Sequence, residues 1–108
     1  MNKLRRKEID VVIDKLENVK TMENAEEIIS VLEDIVGDIQ NIYDDEYDYM
    51  ENIPENLQGS ERYEKAEEAC DNLESAIDTL EYIDLSDNKE TIESSIDEAI
   101  DYLNEATA

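Results

Sequence analysis

Histidine is absent from this 108-residue chain, lysine and arginine together number nine, and cysteine occurs once. Without histidine no imidazole titrates near neutrality, so the usual general base and the Glu-x-x-His pairs of di-iron bundles are both missing. Nine bases against 32 acidic side chains leave a formal charge of −23. That balance denies the chain the basic face that nucleic-acid binding requires, and it repels anionic membrane surfaces. A lone Cys70 makes no internal disulfide, so nothing marks an oxidising compartment. No apolar run approaches the about 18 residues of a membrane span. The opening "MNKLRRKEIDVVIDKL" lacks a signal peptide's uninterrupted apolar stretch and cleavage site. The expectation is a soluble, cytoplasmic protein with no cofactor.

High net charge is also the signature of disorder, but Ile, Leu and Val recur here at about 3.5-residue spacing, which a disordered tail lacks. A first helix is expected from Lys3 to Val19, with Leu4, Ile9, Val12, Ile13, Leu16 and Val19 on one face. Asn24, with Glu27 three residues on, has capping-box spacing and starts a second helix. Its stripe of Ile28, Leu32, Ile35, Ile39 and Ile42, flanked by Ile29, Val36 and Tyr43, runs past Gly37 towards Met50. Gly37 either permits close packing or is simply tolerated.

Pro54 and Gly59 make "ENIPENLQGS" the clearest loop, with Gly59 suited to positive φ and Ser60 to a helix N-cap. Tyr63, Ala66, Cys70, Leu73, Ile77 and Leu80 then repeat in the narrow manner of a coiled-coil seam. Asp87 and Glu90 offer a box-like start for a fourth helix with Ile92, Ile96, Ala99, Ile100 and Leu103 inward. The fold class expected is an all-α antiparallel bundle of four helices, one domain over residues 1–108. Narrow seams can also be completed by a second copy, which leaves a homodimer open.

Charge is distributed unevenly. Residues 1–20 hold six bases and four acids, whereas residues 21–108 hold three bases and 28 acids. Along the third helix Glu64, Glu67, Glu68, Asp71, Glu74, Asp78 and Glu81 lie off the seam, and Glu90, Glu93, Asp97 and Asp101 do so on the fourth. Acids three or four apart are separated by roughly 5 Å along a helix, while phosphates on one DNA strand advance by about 3.4 Å of axis and stand farther apart through space. Like charges at this spacing weaken a helix, so the rows carry a folding cost with no local compensation. A solvated acidic face is the plainer explanation; the size of the imbalance raises a phosphate-like surface beside it.

Between these rows lies "DDEYDYMENIPE", where Tyr47 and Tyr49 sit among Asp44, Asp45, Glu46, Asp48 and Glu51. An aromatic ring beside a carboxylate suits an arginine, which stacks on the one and pairs with the other. The same stretch imitates a calcium loop at Asp44, Glu46, Asp48 and Glu55, but Tyr49 stands where the loop's glycine belongs. Cys70, on the seam and without basic neighbours, reads as a core residue.

The run "NIPENLQGSERYEKAEEACDNLESAIDTLE", residues 52–81, resembles a segment of small acidic helical proteins from phages and mobile elements of Gram-positive bacteria. Together with the charge, the chain is similar in kind to DNA-mimic inhibitors of host defence, including anti-CRISPR proteins. That resemblance implies a non-enzymatic, phage-encoded inhibitor acting in the bacterial cytoplasm on a basic nucleic-acid-binding protein, a CRISPR effector or another defence nuclease. It implies no direct contact with nucleic acid or membrane. The partner-binding residues expected are Asp44, Asp45, Glu46, Tyr47, Asp48, Tyr49, Glu51, Glu64, Glu67, Glu68, Asp71, Glu74 and Asp78, with the basic first helix serving as internal cover or fold support. The alternatives are a phage structural or adaptor bundle and a weak divalent-ion binder at 44–55.

Overall fold

The structure, a computed structural model, describes residues 1–108 and contains helices and no strands. Helix α1 spans Lys3–Val19, α2 Ala25–Glu51, α3 Glu61–Glu81 and α4 Lys89–Ala106, with a single 3-10 turn at Glu55–Leu57. Each helix opens on a short polar side chain that accepts from the backbone N–H three residues on: Asn2 from Arg5, Asn24 from Glu27, Ser60 from Tyr63 and Asn88 from Thr91. The cap of α4 is thus Asn88 rather than Asp87. Asp87 instead accepts from the Asp84 N–H at 2.9 Å and closes the preceding turn. Gly59 does not have positive φ, so the loop needs glycine there for no left-handed conformation.

Contacts between distant residues fix an up-down-up-down order. Arg5 meets Glu46 and Lys15 meets Asp38, which sets α1 antiparallel to α2. Glu46 lies near Cys70 and Tyr43 near Glu74, which does the same for α2 and α3. Lys20 on Asp97, and Lys89 donating to the Met22 carbonyl, close α4 back against α1 and the loop after it. The result is a rod of 50 × 21 × 19 Å.

The expected stripes form its core: Ile9, Val12, Leu16 and Val19 from α1; Ile28, Leu32, Ile35, Ile39 and Ile42 from α2; and all five α4 residues are buried. Leu4 is not, at 65% exposure. With 100° of turn per residue it lies roughly 100° round from the α1 stripe, and Ile13 sits at the stripe's edge. On α3 the buried set is wider than the narrow seam, because Ala69 and Ala76 join it. This central helix packs on α2 and α4 at once, and small side chains let α4 approach on the second side. Gly37 is exposed, and a methyl group there would meet nothing within 4 Å, so it serves no close packing.

Candidate partner-binding surface

Of the acidic side chains only Glu46 is buried. The longer-range ion pairs gather around α1 and the start of α4, as Arg5–Glu46, Lys15–Asp38, Lys20–Asp97 and Lys89–Glu23. Along α3 the sole pair is Lys65–Glu61, at 3.5 Å within one turn. Glu64, Glu67, Glu68, Asp71, Glu74 and Asp78 are all exposed and have no basic partner. At 100° and 1.5 Å per residue they occupy an arc of about 120° over about 21 Å of helix. No helix carries a base in its last turn, where Asp48, Glu51, Asp78 and Glu81 stand at the negative end of the macrodipole. Apart from Glu64, which stands in the first turn of α3 at the positive end of the macrodipole, helix stability therefore does not account for where these acids are.

The α2 half of the expected set divides. Asp44, Asp45, Asp48 and Glu51 are exposed. Tyr47 is 41% exposed, stacks on Tyr43 with centroids 5.9 Å apart, and lies near Tyr63 of α3. The charge of Glu51 beside it pushes the Tyr47 phenol up. Tyr43 is pushed up as well, first by burial and then by Glu74. Asp44, Tyr47 and Glu51 thus extend the α3 row across the α2–α3 edge. Asp45 stands one heptad from Asp38, which pairs with Lys15, and so belongs to the α1 side.

Glu46 and Tyr49 leave the expected surface. Glu46 is 0% exposed and accepts from Arg5 Nε at 2.6 Å, while the Arg5 guanidinium lies 5.4 Å from the centre of the half-buried Tyr49 ring. The sequence pattern points to a partner's arginine between ring and carboxylate; at Tyr49 and Glu46 the antiparallel packing of α1 fills that place with Arg5 of the chain itself. Cys70 is buried nearby, its thiol pushed up to about 12 by burial and then by the Glu46 charge. That keeps it a thiol at neutral pH rather than a nucleophile.

Residues 44–51 continue α2 as regular helix, so Asp44 and Asp48 share an exposed face while Glu46 points into the core on the opposite side, and the three cannot converge as calcium-loop ligands. No group of three or more Cys, Asp and Glu side chains is placed to hold a metal ion. No helix is long and apolar enough to cross a membrane. Compared with protein-family models, with characterised proteins and with solved structures, the chain matches none.

Proposed function

We propose that this bundle is a non-enzymatic inhibitor that competes with nucleic acid for a basic site on its partner. The observation that carries the reading is the row from Glu64 to Asp78: exposed, of one sign and without ion pairs, on a helix that only Glu64, in the first turn, supports through the macrodipole. Carboxylates at one-turn intervals present a basic cleft with a rigid series of anionic oxygens, as a phosphate backbone does. The charge of −23 speeds encounter over long range, and the contacts desolvated on docking set the lifetime. Tyr47, beside Glu51, offers a ring and a carboxylate to one incoming arginine. The phage resemblance brings forward a CRISPR effector or another defence nuclease as the partner.

The test is fluorescence anisotropy of labelled duplex DNA bound to a guide-loaded CRISPR effector and to a panel of restriction endonucleases. The protein is expected to displace DNA from at least one of them, less effectively as salt rises. Failure to displace DNA from any member overturns the reading.

A further inference from the structure

Outside the core stripe of α2, Ile29, Val36 and Tyr43 recur at intervals of seven, each only partly buried. At 1.5 Å per residue they are about 10.5 Å apart, a second narrow seam that α3 borders on one side and leaves only partly covered. They border the groove between α2 and α3, where Ile29, Val36, Leu80 and Ile83 shape an apolar depression of about 270 Å³. A second depression of about 260 Å³ continues it past Tyr43 and Ile77, the two sharing Glu81. Glu33, Glu74, Asp78 and Glu81 rim the groove, and no lysine or arginine lines it. Tyr82, 86% exposed, lies beyond the rim, in a neighbouring depression that it lines with Asp78 and Glu81.

We propose that this groove docks an amphipathic helix of the partner, with aliphatic side chains at heptad spacing flanked by lysine and arginine. The heptad-spaced floor fits the i, i+3/i+4, i+7 anchors of a helix running along the groove. The rim fits the basic flanks, whose methylene stems cover the apolar edge while their charges reach the acids. Tyr82 gives one such cation a ring. A second copy of this chain is the wrong occupant, because it sets acidic rims against acidic rims. The inference deepens the inhibitor reading and rests on it only for the partner's basic character. The groove lies toward the far end of α3 from the first acids of the row, with about 15 Å of helix between Asp71 and Glu81.

The test uses the full chain and two labelled synthetic peptides of identical composition. One is a helix with leucine at heptad a and d positions and lysine elsewhere; the other has the same residues scrambled so that no apolar face forms. At about 0.3 M NaCl, where exposed charges are largely screened, the amphipathic peptide is expected to bind at least about tenfold more tightly. Amide chemical shifts should move at Ile29, Val36, Leu80 and Ile83, and Ile29→Asn with Val36→Asn should remove the advantage. Equal binding of the two peptides, or shifts confined to Glu64–Asp71, overturns the groove whether or not the double variant folds. So does a concentration-dependent dimer in light scattering that buries these four residues. Peptide binding is independent of DNA displacement: equal peptide binding with DNA still displaced removes the groove alone, and the converse removes the inhibitor reading alone.

Discussion

Arg5 and Glu46, 41 positions apart in sequence, meet at 2.6 Å with the carboxylate fully enclosed and its second oxygen, Oε1, left without a hydrogen bond. The pair ties the start of α1 to the far half of α2, and the Tyr49 ring adds a face for the guanidinium. Removing one partner strands a charge. Arg5→Met is therefore expected to cost about 3–5 kcal/mol, whereas Arg5→Met combined with Glu46→Leu should recover most of it, since a packed apolar pair needs no desolvation of ions. Urea unfolding of the single and double variants measures both.

Gly37 is an exposed glycine inside a 27-residue helix, with open space where a side chain would go. Gly37→Ala should stabilise the protein by about 1 kcal/mol through helix propensity and the reduced entropy of the unfolded chain. An unchanged or lower urea midpoint would show that the helix needs glycine there for a reason not visible in its packing.

Cys70 predicts an alkaline weakness. Above the thiol's ordinary 9.0 an unfolded chain sheds its proton, while the folded chain keeps it until about 12. Stability is intact below that window and falls as pH rises through it. Tyr43 and Tyr47, both pushed up, act in the same direction. Unfolding midpoints across the window should decline less steeply in Cys70→Ala, and native protein should react with thiol reagents only as fast as it opens.

Salt should stabilise the molecule. The α3 acids from Glu64 to Asp78 repel one another without ion-pair partners, and salt screens exposed charges within a Debye length of about 8 Å at physiological ionic strength. Thermal melts should move upward from low salt to about 0.3 M NaCl. A flat response would mean that the acids are already neutralised within the fold.

The helices and the core were legible because most Ile, Leu and Val side chains fall on the inward stripes, and because Asn24 and Ser60 announce the helix starts. Leu4 misleads because one leucine near a helix end carries no phase information without its neighbours. Glu46 shows where local reading stops. It continues the spacing of Ile39 and Ile42, so its position in the stripe marked it as buried, but its company of Asp44, Asp45 and Asp48 hid that signal. Arg5 could be matched to it only by the antiparallel register of α1, a tertiary fact. The α3 row was legible in full, since every acid off a well-marked seam must face outward. The groove was only half visible: Ile29, Val36 and Tyr43 flank the stripe, but Leu80, Ile83 and the acidic rim join them only once α3 packs alongside.

The central claim, that the α3 row stands in for phosphates, is tested most directly by changing Glu64, Glu67, Glu68 and Asp71 to Lys and measuring DNA displacement from the responsive target. A matched variant with Glu8, Asp14, Glu26 and Asp34 changed to Lys alters net charge equally on α1 and α2, with helicity of both checked by circular dichroism. The α3 variant should lose competition because each reversal turns an attraction into a repulsion, while the matched variant keeps most of it. Equal losses from the two would reduce the effect to bulk charge, and full competition by a folded α3 variant would contradict the account.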